Sequence, residues 1–554
     1  MTASMDGLLF FLPLLAAISF VYIALRYNTS SNEPRDARMR LVMAAMGVLL
    51  CAMTTAVAAI ALQPANRKAP KAADTATAIP DAAAPAKPNA TAAAMSNAAA
   101  MAMPKATAIA WIQWGHSELS AGLPKPAGLI ARALVAAANA CPDIRIDNQS
   151  PQRMVARKDA RAAIFGTICE YRLARSSLKV KITGQQEGTL LSQEIAPEPA
   201  RIAMFGDTGC RLTYYRDQGC NPDKWPFPAI AGAIAAQSTP NAKIDLVVHL
   251  GDYFYREAPC EKSTSPCMPG PYQDREETWR AEFFEPAREL LAKAPWIFVR
   301  GNHEDCQRGG YGWSYYFGDG AYPCMISHDV AYLPFTNLAF LNFDTAHAGD
   351  DYNDASVHQA LAGLEGVASK LLAGTPPLVF LLTHKPTYAL CAATKALDGD
   401  KARPSECDPK FVKGVGGVRS VLDVVKKVAG RTIIVGGDIH VFQVADFEGV
   451  TQVILGNGGA LRDDENYTGI ADETTKVAVE FADERVSAGP EGKWKTPDSR
   501  GSKIGIAQVW REFGFGLVDL KQRPKIMLTM YDINGKSAFA CDLTDAKIDR
   551  ERCR

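Results

Sequence analysis

Residues 246–255 read Leu-Val-Val-His-Leu-Gly-Asp-Tyr-Phe-Tyr, an apolar run that stops at Gly251 and Asp252. Similar runs of four to seven residues stop at a Gly, Asp, Asn or His elsewhere in the chain, before Gly206, Arg300 and Gly301, His384 and Asp438. Continuous apolar runs of this length predict strands that are buried on both faces. Helical stretches are predicted between them at 276–294 and 357–373. Alternating strands and helices indicate an α/β domain, whose ligands bind at the carboxyl ends of strands.

Metal-binding residue types follow each predicted strand. A single Gly-Asp at a strand end is usually a turn or a helix cap, but five ordered motifs supply carboxylates, an amide, imidazoles and a phenol. This donor set suits Fe, Mn or Zn, and a carboxylate can bridge two cations about 3.5–4 Å apart. The motifs are Gly206-Asp207-Thr208-Gly209, Gly251-Asp252-Tyr253-Phe254-Tyr255, Gly301-Asn302-His303-Glu304, Thr383-His384 and Gly437-Asp438-Ile439-His440.

This ordered set resembles that of the calcineurin-like metallophosphoesterases, and in particular the purple acid phosphatases. Their motifs run GDxG, GDxxY, GNH(D/E), a strand-ending His and GHxH. The resemblance covers roughly residues 201–457. It implies a four-layer α/β/β/α sandwich, completed by the strand-like runs after Leu461, and an acid-phosphatase-like hydrolase of phosphomonoesters.

The resemblance also implies the roles of the site residues. Asp252 would bridge two metal ions and belongs with His303 to the catalytic residues. His303 matches the acid catalyst of the family and, with Asn302, a substrate-binding position. The implied metal ligands are Asp207, Asp252, Tyr255, Asn302, His384, Asp438 and His440.

The last motif departs from the family because Asp438 stands where the family has His. The added negative charge favours harder cations. The expected cofactor is a pair of metal ions, Fe with Fe, Mn or Zn, with Ca as a further option. Such a pair would lower the pKa of a bound water for in-line attack on phosphorus.

Two other functions are compatible with the same sequence. A phosphodiesterase can use the same metal core, because loops around the site select the substrate. A catalytically inactive binding or structural module of the cell envelope is the other alternative. Nucleic acid is not expected as a partner, because 60 Lys and Arg balance 60 Asp and Glu.

Two apolar segments, 7–25 and 41–62, are each close to the length that crosses a bilayer as a helix. A cleaved signal peptide would require a basic residue before Gly7, and none is present. We therefore predict two transmembrane helices that anchor the chain in a lipid bilayer. Arginines between them favour a cytoplasmic loop, although basic residues just after the second helix oppose that orientation.

Thirteen cysteines help to decide the compartment. Cys51 lies in the second apolar segment, and the other twelve fall as close sequence neighbours. These neighbours are Cys141 and Cys169, Cys210 and Cys220, Cys260 and Cys267, Cys306 and Cys324, Cys391 and Cys407, and Cys541 and Cys553. The pattern indicates disulfides and hence an oxidising compartment. We expect an inner-membrane protein of a bacterium with an exported, periplasmic catalytic domain.

Four regions follow from these patterns. Residues 1–64 would hold the membrane helices, and 65–106 form an Ala/Pro-rich linker with no aromatic residue. Residues 107–199 are predicted to be a small, mostly β accessory domain with one helix at 128–138. Residues 200–554 would form the catalytic domain.

Overall fold

The structure is a computed structural model. It describes residues 107–115, 119–120, 123–124, 127–213, 218–259, 270–318, 324, 330–347, 363–366, 378–387, 421, 424–427, 430–447, 449–462, 504–545 and 550–554. All of these belong to one compact unit, Ala99–Arg554. The predicted membrane helices and linker lie outside the described residues. Within those residues, no helix has the length and apolar character that crossing a bilayer requires.

A ten-stranded mixed sheet carries the first three motifs. Its strands are β1 (Ile109–Trp114), β4 (Leu129–Val135), β7 (Val155–Ala156), β8 (Thr167–Leu173), β11 (Arg201–Phe205), β12 (Leu246–His249), β13 (Trp296–Phe298), β21 (Gly514–Asp519), β22 (Met527–Asp532) and β23 (Ser537–Asp542). The strand order is β23-β22-β21-β11-β12-β13-β1-β4-β8-β7. Strands β11, β12, β13 and β1 run parallel, so their carboxyl ends share one edge.

A seven-stranded sheet carries the last two motifs. Its strands are β14 (Ala331–Pro334), β15 (Leu338–Asn342), β16 (Leu378–Leu382), β17 (Arg431–Gly436), β18 (Phe442–Phe447), β19 (Val450–Leu455) and β20 (Ile504–Trp510). The order is β14-β15-β16-β17-β19-β18-β20, and β15, β16, β17 and β19 are parallel. The strands predicted before the five motifs are therefore confirmed.

Two small sheets complete the described strands. One contains β5 (Asp143–Ile146), β6 (Gln152–Arg153), β9 (Lys179–Gly184) and β10 (Gly188–Glu194). The other pairs β2 (Leu119–Ser120) with β3 (Leu123–Pro124).

The described helices are short. They are α1 (Ala162–Phe165), α2 (Phe227–Gln237), α3 (Glu276–Trp279), α4 (Arg288–Leu291) and α5 (Gly310–Tyr316), with 3₁₀ turns at Ala138–Ala140, Asn302–Glu304 and Arg550–Arg552. The continuous helix expected at 276–294 is broken: a π-helical turn, Arg280–Phe284, separates α3 from α4. Pro286 follows that turn and lacks the N–H that would continue the helix. Of the helix predicted at 357–373, residues 363–366 are described, and they are helical.

Alternating residues of β11 show how the layers are packed. Ile202 and Met204 join a core cluster shared by the two large sheets. Ala203 and Phe205, on the opposite face, join a second cluster with residues of α2, α3, α4 and α5. The ten-stranded sheet is therefore covered by the second sheet on one face and by helices on the other. Burial on both faces explains why its strands are continuous apolar runs in the sequence.

The helix predicted at 128–138 is wrong, because this stretch forms β4, and all seven residues of β4 are buried. Strands β1 and β8 pair with it on its two sides. A short apolar run fits a fully buried strand as well as a helix, so periodicity could not separate them.

The structure also differs from the domain boundary expected at residue 199. Within 107–199, strands β1, β4, β8 and β7 belong to the same sheet as the motif strands, and β1 lies directly beside β13. The four-stranded sheet of β5, β6, β9 and β10 is the part of this segment that forms a sheet of its own. The apolar pattern of β1 could not show which strand would be its neighbour.

Four disulfides match neighbouring cysteines in the sequence. They are Cys141–Cys169, Cys210–Cys220, Cys306–Cys324 and Cys541–Cys553. The other two predicted pairs, Cys260 with Cys267 and Cys391 with Cys407, lie outside the described residues. The expectation of a disulfide-bonded protein is confirmed for the part of the chain that can be described.

Candidate metal centre

The five motifs meet where the two large sheets present the carboxyl ends of their parallel strands. Asp207, Asp252 and Asn302 come from the ten-stranded sheet, whereas His384 and Asp438 come from the seven-stranded sheet. Asp207, Asp252 and His384 are buried, and each offers one ligand atom within 4.8 Å of the others. The common edge expected from the sequence therefore exists.

Three aspartates of the site adopt an unusual backbone conformation. Asp207, Asp252 and Asp438 have φ angles of 58°, 59° and 69°. This left-handed region is uncommon for residues other than glycine, and such strain is concentrated at functional sites. Each of these residues directly follows a strand and a glycine, and the resulting sharp turn directs its carboxylate towards the other motifs.

Close approach of the motifs also depends on glycine. A Cβ atom at Gly301 would lie 2.1 Å from both the backbone nitrogen and Oδ1 of Asp252. No side chain fits at that separation, so a residue other than glycine would push the third motif away from the second.

Tyr255 and His440 lie together on one side of the centre. The Tyr255 hydroxyl donates a hydrogen bond to Asp252 Oδ2 at 2.6 Å and lies 2.9 Å from His440 Nε2. The same Nε2 is 3.5 Å from Asp207 Oδ1. On its other side, Nδ1 of His440 hydrogen-bonds the carbonyl oxygen of Leu461.

His384 lies on the opposite side of Asp252. Its Nδ1 is 2.7 Å from the carbonyl oxygen of Leu250, and its Nε2 is 3.0 Å from Asn302 Oδ1 and 3.3 Å from Asp252 Oδ1. A carbonyl oxygen accepts but cannot donate, so Nδ1 carries the proton in both His384 and His440. Metal-binding histidines commonly show this arrangement, which leaves Nε2 for the metal.

Asp438 replaces the histidine of the family motif and still lies at the centre. Its carboxylate oxygen Oδ1 is 3.5 Å from His384 Nε2. Its backbone N–H donates to both carboxylate oxygens of Asp207 at 3.1 Å. The Asp438 side chain is 23% exposed, whereas those of Asp207 and His384 are fully buried, so Asp438 lies at the open side of the centre.

His303 lies beside these residues. Its backbone N–H donates to Asp252 Oδ1 at 2.9 Å, and its ring packs on the Tyr255 ring with 3.9 Å between centroids. Nδ1 of His303 is 2.6 Å from Glu257 Oε1. All of the predicted site residues thus lie in one connected group.

Residues 200–442, which hold all five motifs, match the family model of the calcineurin-like phosphoesterases. This segment is a calcineurin-like phosphoesterase domain. The match supports a phosphoric ester hydrolase.

Several solved structures are similar to this chain. A purple acid phosphatase from yellow lupin seeds is 12% identical over 78% of this chain and 73% of its own, with a TM-score of 0.45. PhoD is 12% identical over 80% of this chain and 91% of its own, also with a TM-score of 0.45. A dimetal phosphatase from Danio rerio is 12% identical over 60% of this chain and 96% of its own, with a TM-score of 0.32. No curated protein matches the sequence.

Two buried glutamates that sequence analysis did not assign hold the loops of the phosphoesterase centre. Glu304 accepts hydrogen bonds from four backbone N–H groups, those of Asp252, Tyr253, Phe254 and Gly301. Glu282 Oε1 accepts from the N–H groups of Cys210 and Tyr255. Glu304 stands inside the third motif, which could have drawn attention to it. Glu282 lies in the π-helical turn, where no motif marks it.

Burial dominates the electrostatics of these carboxylates. It raises the pKa of Asp207 to about 6 and the pKa values of Glu282 and Glu304 to about 8. Burial also acts to raise the pKa of Asp252, but the nearby imidazoles outweigh it and hold that pKa well below its usual range. The pKa of Tyr255 is raised well above 10 by burial and by Asp252.

The residues present fit a pair of cations. Carboxylates, a phenol, an amide oxygen and two imidazole Nε2 atoms converge, and they are the donor types of mixed Fe, Mn or Zn sites. Buried carboxylates are costly unless a positive charge compensates them, and bound metal ions would provide that charge.

The remaining histidines have other roles or are outside the described residues. His249 is buried inside β12, where its Nδ1 accepts from the Gly251 N–H and its Nε2 lies 2.9 Å from Thr208 Oγ1. His347 lies 3.3 Å from Arg300 Nη2. His116, His328 and His358 are outside the described residues.

Proposed function

We propose that this chain is a metal-dependent phosphomonoesterase, similar in chemistry to acid phosphatases, with a dinuclear centre. The position of Asp252 carries the proposal. Its Oδ2 faces Tyr255, whereas its Oδ1 faces His384. One carboxylate thus presents its two oxygens to two groups of metal-binding side chains, as a bridging ligand requires.

The two groups define two binding positions. Asp207, Asp252, Tyr255 and His440 would hold one cation. Asp252 would share the other with Asn302, His384 and Asp438. We propose Fe paired with Fe, Mn or Zn, with Ca as a further option, because oxygen donors predominate and Asp438 adds a carboxylate. Two bound cations would neutralise phosphoryl oxygens and lower the pKa of the attacking water.

His303 would bind the phosphoryl group, together with Asn302, and protonate the leaving oxygen. Its Nδ1 is hydrogen-bonded to Glu257, so Nε2 remains to carry the transferred proton. Burial lowers the pKa of His303, whereas Asp252 and Glu257 oppose that effect by stabilising the charged ring. Glu257 therefore orients the imidazole and supports its protonated form.

We further propose the four-layer α/β/β/α sandwich of the family for the complete domain, anchored to a bilayer by the two apolar segments at 7–25 and 41–62. The domain would be exported and lie at the periplasmic side of a bacterial inner membrane. Four disulfides support this location, because such bonds persist in oxidising compartments.

Hydrolysis of a chromogenic phosphomonoester and of the matching diester by the full-length chain tests the function. We expect turnover of the monoester to exceed that of the diester. Asp252→Asn should lower the turnover of the monoester on the order of 10³-fold, because the substitution removes the carboxylate that both cations would share. Asp223→Asn, at an exposed aspartate, is the matched control and should leave the rate unchanged.

Faster hydrolysis of the diester would identify a phosphodiesterase on the same core. Absence of turnover with Fe, Mn, Zn or Ca would contradict the enzymatic function and favour an inactive envelope module. Metal analysis of the purified chain provides an independent check, with about two ions per chain expected.

A further inference from the structure

The described ends of a small loop closed by a disulfide lie beside the metal centre. The loop starts after Cys210, at the end of the first motif, and returns to Cys220, which is bonded to Cys210. Residues 214–217 of this loop are outside the described residues. Arg211 is the first residue of the loop and has no role in the function proposed above.

The backbone around Arg211 is fixed by several hydrogen bonds. Its N–H donates to Gln218 Oε1 at 3.1 Å, and its carbonyl accepts from the Gln218 N–H at 2.9 Å. Gln218 also donates through Nε2 to the carbonyl of Gly459 at 2.7 Å. The next residue, Leu212, donates its N–H to the carbonyl of Tyr255 at 2.9 Å. The position of Arg211 relative to Tyr255 is thus determined by the fold.

The guanidinium of Arg211 lies over the aromatic ring of Tyr255, with its Cζ atom 5.1 Å from the ring centroid. His303 packs against the same ring. The guanidinium is therefore near both a proposed metal ligand and the proposed acid. Its positive charge partly opposes the rise in the pKa of Tyr255 and adds to the lowering of the pKa of Glu257.

Arg211 differs in its partners from the other arginine near His303. Arg308 forms an ion pair with Asp305 at 2.7 Å and lies 3.6 Å from Glu257. Among the described residues, no carboxylate lies within ion-pair distance of Arg211, and its buried Nε atom has no hydrogen-bond partner there. Buried polar atoms are nearly always hydrogen-bonded, so the guanidinium retains a donor that the described residues do not use.

We propose that Arg211 binds the phosphoryl group of the substrate and selects dianionic phosphomonoesters over diesters. This inference rests on the proposed function and specifies its substrate class. A phosphomonoester carries about two negative charges near neutral pH and three non-ester oxygens, and a diester has one fewer of each. A guanidinium binds two such oxygens through its fork of N–H groups. A guanidinium beside the metal ligands should therefore bind the monoester more tightly than the diester, because the monoester has one more negative charge and one more non-ester oxygen.

The test compares Arg211→Ala and Arg211→Lys with the wild-type chain. For Arg211→Ala we expect kcat/KM for the chromogenic monoester to fall by about 10- to 100-fold, the range for a lost charged hydrogen bond. We expect the value for the diester to fall by less than about threefold, because the lost interaction belongs to the oxygen that the diester lacks. Arg211→Lys retains the charge without the fork and should lie between Arg211→Ala and wild type.

Lys224→Ala is the matched control, because Lys224 is an exposed cation just beyond the same loop. It should change neither rate. Calorimetric titration with inorganic phosphate gives a readout that does not depend on turnover. Arg211→Ala should raise its dissociation constant about tenfold or more. Metal content and thermal midpoint should remain those of the wild-type chain.

Equal losses on monoester and diester would overturn the proposal, since Arg211 would then contribute only general charge. Unchanged monoester hydrolysis and phosphate affinity would also overturn it. If Arg211→Ala folds poorly, Arg211→Lys still decides, because a wild-type ratio of monoester to diester rates in that variant argues against oxygen recognition by the fork. Failure of the proposed function itself is distinguishable, because the wild-type chain would then hydrolyse neither ester or would hydrolyse the diester faster.

Discussion

The loops after β11, β12 and β13 are held by two buried glutamates that can gain or lose a proton, whereas the loop after β16 is held by side chains that do not titrate. In the first region, Glu304 and Glu282 accept six backbone hydrogen bonds. In the second, Thr345 Oγ1 accepts from the N–H groups of His384 and Lys385, and Gln452 accepts from that of Thr387. Glutamates can lose or gain a proton, but a hydroxyl and an amide keep their state at ordinary pH. The geometry around Asp252 should therefore depend on pH more than the geometry around His384.

Glu304→Ala should have the largest effect on stability. It leaves four backbone N–H groups without their acceptor, and each unsatisfied buried group costs about 1–3 kcal/mol. After partial hydration we expect a loss of about 4 kcal/mol in the free energy of unfolding, measured by denaturant titration. Glu289→Ala, at a glutamate whose side chain is 72% exposed, serves as the control and should cost less than about 0.5 kcal/mol. Similar losses in both variants would mean that Glu304 does not brace the loops.

The pH dependence of stability should distinguish Glu282 from its neutral isostere. Oε2 of Glu282 has no hydrogen-bond partner among the described residues, so a proton can reside there. With a folded-state pKa of about 8 against 4.5 for the ordinary group, the folded state retains the proton more strongly. Its stabilising contribution is complete below about pH 4.5 and is lost as the pH rises to about 8, with a slope of at most about 1.4 kcal/mol per pH unit.

Unfolding measured from about pH 5 to about pH 8 checks this expectation. Glu282→Gln keeps an acceptor oxygen for Cys210 and Tyr255 but cannot ionise, so its curve should be flatter than that of the wild-type chain. Parallel curves would show that Glu282 has the same protonation in the folded and unfolded states.

Thr345→Val should have the smallest of these effects. The change preserves shape but removes one acceptor shared by two N–H groups, so we expect a loss of about 1–2 kcal/mol. This loss should not vary between about pH 5 and about pH 8, because neither the threonine nor the valine at this position titrates there. Thr345→Ser keeps the hydroxyl and should stay near wild type. A pH-dependent loss in Thr345→Val would remove the distinction between the two regions.

The sequence predicted the residues of the metal centre better than the residues that hold them in place. Asp207, Asp252 and His384 could be placed together for two reasons. Each motif follows an apolar run that is recognisable as a strand, and parallel strands end at a common edge. Glu282 and Glu257 escaped notice because their partners lie on other segments, and tertiary packing alone decides which segments meet. The predicted helix at 128–138 was wrong because burial on both faces removes the alternation that would reveal a strand. Pro286 is the one sequence feature that marks the break in the helix expected at 276–294.

The position of β1 and β21 in the ten-stranded sheet sets an order of events during synthesis. Strand β1 emerges early, yet one of its neighbours, β13, is made only after β11 and β12. The antiparallel partner β4 follows β1 directly and can hold it in the meantime. The interval between synthesis of β11 and of its neighbour β21 is longer than that between β1 and β13, because β21 lies near the C-terminal end of the sequence. Until β21 is made, one edge of β11 is unpaired and can pair with strands of other chains. We therefore expect aggregation to occur before the last strands are synthesised and paired, and not from the folded protein.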